Sequence, residues 1–155
     1  MQNQKNVRNL TTLCYIEKDD CYLMLHRISK KNDINKDKWI GVGGHFELNE
    51  SPEECLLREV KEETGLLIEN PKLCGVKQFK ISKTGERFIC LFFKTDKFTG
   101  KLSSSDEGEV FWIKRTDLEN YVLADGFGDM VKVFENDELS EIYYGRICKR
   151  RGRSY

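Results

Sequence analysis

The run Gly44–Leu66, GHFELNESPEECLLREVKEETGL, constrains this chain more than any other stretch. It sets Gly44, Glu50, Arg58, Glu59, Glu62, Glu63 and Gly65 in a fixed frame: a glycine, five residues, a glutamate, seven residues, then R-E-hydrophobic-x-E-E-x-G-hydrophobic. Ser51 can cap a helix here, Pro52 suits its first turn, and Glu54 completes an S-x-x-E capping box. Gly65 supplies the left-handed residue that usually ends one, so the run predicts a helix over 51–64. Each helical residue advances about 100°, which puts Glu59, Glu62 and Glu63 on one face. Leu56, Val60 and Thr64 point to another side, where a sheet can receive them. The glutamate face is expected to meet solvent and metal. Clustered carboxylates repel one another, and a hard divalent cation offsets that cost; such ions serve phosphate chains. A solvated charged face would explain the glutamates alone, but not Gly44, Glu50, Arg58 and Gly65 as well.

Around this helix the chain reads as strands. Leu10–Ile16 and Cys21–Ile28 are apolar runs joined through the charged turn Lys18-Asp19-Asp20. Residues 29–38 form a polar loop, and Trp39–Phe46 reads as a short glycine-broken strand. Strand character returns from Leu66, then at Leu73–Phe79, Arg87–Lys94 and Val110–Ile113. Asp117–Tyr121 suggests a turn of helix, and Phe127–Phe134 a final helix. Strands, one central helix, more strands and a late helix predict a mixed α/β layered domain.

The 155 residues suggest one domain spanning 1–155, with a core over about 10–138 and a C-terminal strand and basic tail over 139–155. Lys plus Arg and Asp plus Glu both number 26, so the net charge is zero and the basic footprint of a nucleic-acid binder is missing. No apolar run approaches the ~20 residues of a membrane helix, and MQNQKNVRN lacks a secretory stretch. Both point to the cytoplasm. The six cysteines show no C-x-x-C spacing and read as small buried hydrophobes. The tail KRRGR, Lys149–Arg153, reads as a solvated terminus.

Gly44–Leu66 resembles a complete Nudix box, and the resemblance extends over roughly Leu10 to Glu138. It implies an α/β Nudix fold, an α/β/α sandwich with a mixed central β-sheet. It also implies hydrolysis of a nucleoside diphosphate linked to a further group X, with Mg2+ or Mn2+ as cofactor. Carried over residue by residue, Glu59, Glu62 and Glu63 match the metal-binding glutamates. Glu62, Glu63, Arg58 and Glu50 match the catalytic set, in which Arg58 and Glu50 shape the loop-helix-loop that Gly44 starts. Divalent ions on such a cluster bridge phosphate oxygens, screen their charge and lower the pKa of a bound water. The base in this family is a box glutamate or a carboxylate on a later loop. Here the later candidates lie in SSSDEGEVFWI, with Glu107 and Glu109 preferred to Asp106.

Further residues are candidates for the substrate. Gly43 and Gly44 can admit phosphate to bare backbone N–H groups, whereas Gly41 reads as a tight turn. Arg27 ends a strand where the family often has an arginine near the phosphates. His26 and His45 are isolated, although His45 adjoins the box. WIGVGGHFE, Trp39–Glu47, resembles the MutT-like, oxidised-purine branch, which often reads W-N-G-x-G-G-K-x-E. LADGFGDMVKVF, Leu123–Phe134, resembles its second signature, with Asp129 the best match for a purine-reading acid and Asp125 next. Trp39, Phe127 and Trp112 are candidates to stack on a base. Ile40 departs from the branch, because it stands where a base-binding asparagine is common. The expected activity is cleavage of a nucleoside triphosphate, with 8-oxo-dGTP a candidate, to monophosphate and pyrophosphate, for nucleotide-pool sanitation. The alternatives are ADP-ribose, a dinucleoside polyphosphate or an RNA 5′ end as substrate, and then a non-catalytic nucleotide-binding regulator. A monomer or homodimer acting on a small nucleotide is expected, with no membrane and no stable nucleic-acid complex.

Overall fold

Apolar residues on both phases of the strand repeat mark β1 (Asn9–Lys18) as a central strand. In the computed structural model, which describes residues 9–28 and 37–149, Cys14 and Ile16 enter one core while Leu13 and Tyr15 enter another. The turn expected after it is present, with Asp19 and Asp20 left-handed at φ 50° and 65°, and leads into β2 (Cys21–Arg27). Then follow β3 (Trp39–Ile40), α1 (Pro52–Thr64), β4 (Leu66–Glu69), β5 (Lys72–Lys80), β6 (Arg87–Thr95), β7 (Lys97–Gly100) and β8 (Gly108–Lys114). A 3-10 turn at Arg115–Asn120, helix α2 (Phe127–Glu135), β9 (Leu139–Tyr143) and β10 (Arg146–Lys149) complete the described chain. Residues 29–36, most of the stretch expected as a polar loop, and residues 150–155 of the expected basic tail lie outside the described residues.

Eight strands form one mixed sheet in the order β10-β9-β5-β6-β1-β2-β3, with β8 also paired to β2. The pairs β1–β6 and β5–β9 are parallel and the others antiparallel. Helix α1 buries Leu56 and Val60 against Cys14, Ile16, Leu23, Leu25 and Val42 on one face. Helix α2 buries Phe127, Met130, Val133 and Phe134 against Leu13, Tyr15, Met24 and Phe92 on the other. This is the α/β/α sandwich expected from the sequence. Strand β7 was not foreseen; it pairs with β4 as a separate two-stranded sheet beyond the end of α1. All six cysteines are free, and Cys14, Cys55, Cys74 and Cys90 are buried, as their apolar settings suggested. Among the described residues, no helix is long and apolar enough to cross a membrane.

The position of the site follows from a split in the sheet. Strands β1 and β2 stay paired only near their shared turn, at Glu17–Tyr22 and Lys18–Cys21. Beyond it, β2 pairs with β3 and β8, and β1 takes residues 42–46 as its neighbour instead. The hydrogen bonds are Cys14 N–H to Val42 O at 2.7 Å, Thr12 N–H to Gly44 O at 2.9 Å and Phe46 N–H to Leu10 O at 3.1 Å. The glycine-rich segment therefore lies in the opening, directly before α1.

Candidate active site

Helix α1 carries the caps its sequence predicts. Ser51 accepts from Glu54 N–H, Glu54 accepts from Ser51 N–H, and Gly65 ends the helix at φ 80° with its N–H on Lys61 O. These caps fix the helical phase, and the phase fixes the glutamates. Arg58 then divides its donors among the acidic groups around it. Its Nε and Nη2 bind Glu50, its Nη1 binds Glu59 at 2.7 Å and Glu62 at 3.2 Å, and its Nη2 also reaches His45 O at 3.0 Å. Glu50 accepts Glu47 N–H as well, at 2.8 Å. The Arg58 guanidinium and that N–H hold the Glu50 carboxyl down at about 2. The loop before α1 is thus tied to the helix through Arg58, which pairs with Glu50 and, at 3.5 Å, with Glu47.

Three carboxylates converge: Glu59, Glu63 and Glu107 offer oxygens that all lie within 4.8 Å of one another. Glu107 comes from the turn before β8, and it was one of the two later acids preferred from the sequence. Glu109, the other, is exposed and pairs in register with His26. The structure corrects one expectation about α1. Glu63 does not face solvent: it is only 2% exposed and accepts Gly43 N–H at 2.8 Å. Glu62 stands outside the convergent triplet, about 100° round the helix from Glu63, with its side chain 59% exposed and bridged to Arg58. Burial, and next a hydrogen bond with Glu107, push Glu63 up to about 10. Burial also raises Glu59, against the opposing pull of Arg58.

The glycines make this convergence possible. A Cβ on Gly44 would lie 2.2 Å from Glu59 Oε2, so a side chain there would occupy the place of the carboxylate. A Cβ on Gly43 would lie 2.1 Å from Thr12 O, inside the backbone of β1. Both glycines, together with Glu59, Glu107, Arg27, His45 and Ile40, line a cleft of about 410 Å³. Its other end is apolar, built from Phe79, Ile81, Phe88, Cys90 and Met130. Phe79 and Phe88 stack with centroids 4.9 Å apart and planes 8° from parallel.

Those two aromatics were missed in the sequence, where Trp39, Phe127 and Trp112 were the stacking candidates. Phe127 is fully buried in the α2 core, Trp39 stacks on His26, and Trp112 packs on Phe98; none of the three lines the cleft. The signal available was the cross-strand register of β5 and β6, which sets Phe79 opposite Phe88. Asp129 is on the first turn of α2, 3.4 Å from Lys132 and 41% exposed; its neighbour Met130, and not Asp129, lines the cleft. Asp125 pairs with Lys38 at 3.1 Å.

An all-carboxylate donor set suits a hard divalent cation such as Mg2+ or Mn2+, so the residues present fit the metal their pattern implies. The model of the NUDIX domain matches residues 7–136. The Nudix hydrolase YvcI of Bacillus subtilis is 34% identical over 125 residues, covering 77% of this chain and 75% of that protein. An ADP-ribose pyrophosphatase of Methanocaldococcus jannaschii is 34% identical over 94 residues, or 61% of this chain and 54% of its own length. The crystal structure of a MutT protein from Bacillus halodurans superposes with a TM-score of 0.69 at 26% identity, covering 87% of this chain and 86% of that one. The family model and these relatives match most of the chain, which therefore belongs to that family as a Nudix hydrolase, similar to MutT, that acts on phosphoric anhydride bonds.

Proposed function

We propose that this hydrolase cleaves a nucleoside triphosphate, with 8-oxo-dGTP among the candidates, to monophosphate and pyrophosphate in an Mg2+- or Mn2+-dependent reaction. Acting in the cytoplasm, it would then remove unwanted nucleotides from the pool. The observation that carries this reading is the cleft itself, acidic at one end and aromatic at the other. Glu59, Glu63 and Glu107 would hold the divalent ion, with Glu62 at the mouth. When bound, such an ion neutralises charge on the anhydride oxygens and acidifies a water.

The protein's own groups do the rest. Gly43 N–H fixes the Glu63 carboxylate, and Arg58 fixes that of Glu59. Glu107, hydrogen-bonded to Glu63, can accept a proton from the attacking water and pass it on. Arg27, beside the acids, offers a guanidinium fork to phosphate. The backbone at Gly43 and Gly44 lets the phosphate chain come close. Phe79 and Phe88 exclude water and receive a flat base.

A panel of nucleotides with Mg2+ and Mn2+, read by product analysis, tests this. Pyrophosphate release from a triphosphate is expected, and H2(18O) shows which phosphorus is attacked. Glu107→Gln should lower turnover about 10²-fold or more. Inert triphosphates, with ADP-ribose split to two monophosphates, would instead establish the second reading, which the likeness to the Methanocaldococcus enzyme favours.

A further inference from the structure

The apolar end of the cleft adjoins a charge that stability does not explain. Lys77 lies on β5, two residues before Phe79, and is only 8% exposed. In the β5–β6 ladder, Lys77 faces Cys90 and Phe79 faces Phe88, so the two pairs are neighbouring steps of one surface. Three of those four residues line the cleft. The Lys77 ammonium sits 4.8 Å from the centre of the Phe79 ring.

The ammonium is poorly served by its surroundings. Among the described residues, no carboxylate forms an ion pair with it. Asp125 and Asp129 reach it only through longer-range attraction, and burial lowers its pKa. It also abuts the N-terminus of α2: a Cβ on the N-cap Gly126 would lie 2.9 Å from Lys77 Nζ. That end of a helix carries partial positive charge and repels a cation. A buried cation with a ring for company, at the wrong end of a dipole, costs stability. A bound acceptor would remove that cost.

Ile40 lines the same cleft and offers no side-chain hydrogen bond. Polar recognition of a base must then come from elsewhere. An ammonium has three donors and no acceptor. Guanine presents O6 and N7, and thymine and uracil present O4, whereas adenine and cytosine place an amino donor at the equivalent edge. We propose that Lys77 is a specificity-determining residue that donates to the exocyclic keto oxygen of a base held against Phe79 and Phe88, selecting guanine and uracil over adenine and cytosine. This rests on the reading of the cleft as a nucleotide site, and it deepens that reading by naming the class of base.

Binding of GMP, UMP, AMP and CMP, measured by calorimetry on the wild type, Lys77→Met and Lys77→Gln, tests it without turnover. The wild type should prefer the two keto bases by about ten-fold or more. Lys77→Met should abolish that preference while leaving the folded state at least as stable, since it removes an unpaired buried charge. Lys77→Gln, whose amide can face a donor or an acceptor, should level the four affinities. No preference in the wild type, a preference that survives Lys77→Met, or equal weakening of all four ligands would overturn the assignment. The triphosphatase reading fails on a separate result, the lack of pyrophosphate release, which leaves monophosphate binding unaltered.

Discussion

Arg58 gathers the loop, the helix and the acidic cluster through one planar group. Its fork meets Glu50 on two donors and Glu59 on another, and lysine, a single point charge, cannot reproduce that geometry. Its partner Glu50 is held at about 2 in the folded protein, below the ordinary carboxylate value of about 4.3 that applies when unfolded. The folded state therefore binds the Glu50 proton less tightly than the unfolded one. The stabilisation is fully present above the unfolded value and is lost as pH falls through about 2. Glu50→Gln should accordingly melt below the wild type at pH 7, with the gap closing between pH 5 and pH 2. Melting temperatures over that range check it, and a gap that does not depend on pH would assign the loss to shape rather than charge. Arg58→Lys should lower turnover more than it lowers stability, because Glu59 loses its directed hydrogen bond.

Helix α1 works as an element because two of its faces have different tasks and its ends are sealed. The packing face is unforgiving: Leu56 and Val60 are both fully buried. An aspartate at either site leaves a charge in the apolar layer, and Leu56→Asp or Val60→Asp should cost roughly 3–5 kcal/mol, visible as loss of cooperative unfolding or of soluble protein. The facing segment 42–46 yields a sharper contrast. Gly43→Ala drives a methyl into the Thr12 carbonyl, a backbone atom that cannot step aside, so the melting temperature should fall by several degrees. For Gly44→Ala the three nearest atoms all belong to the end of the Glu59 side chain, which can swing away. That variant should keep its stability within about 1 kcal/mol and lose most of its turnover and metal affinity. Equal effects of the two alanines on melting and on activity would remove the role given to Gly44.

At the scale of the whole molecule, what was legible in the sequence is what depends on local spacing. The capping box, the Gly65 terminus, the packing face of α1 and the outlines of β1, β2, β5, β6 and α2 all follow from periods and end signals within a few residues. The rest depends on tertiary pairing. Period alone sets Glu62 and Glu63 on the same face; the insertion of 42–46 beside β1 sets Gly43 N–H on the buried Glu63, and the pairing of β8 with β2 brings Glu107 beside it. Likewise Phe88 and Lys77 join the cleft only through the register of β5 on β6. The assembled cluster carries a consequence for stability. Glu59, Glu63 and Glu107 crowd a spot where Glu63 is buried and the other two are half-buried, and acids so crowded cost stability until a cation offsets their repulsion. Glu63→Gln removes one buried acid without changing shape, so in EDTA it should melt above the wild type by about 3 °C, the shift expected for roughly 1 kcal/mol in a chain of this size. Adding Mg2+ or Mn2+ should raise the wild type through binding to the folded state alone, and raise Glu63→Gln far less. The order of the two proteins would thus reverse between EDTA and saturating metal, while Glu63→Gln turns over substrate at least about 10²-fold more slowly. A metal-free wild type that is the more stable of the two would mean that the acids are satisfied without an ion, and the metal site assigned to them would have to be abandoned.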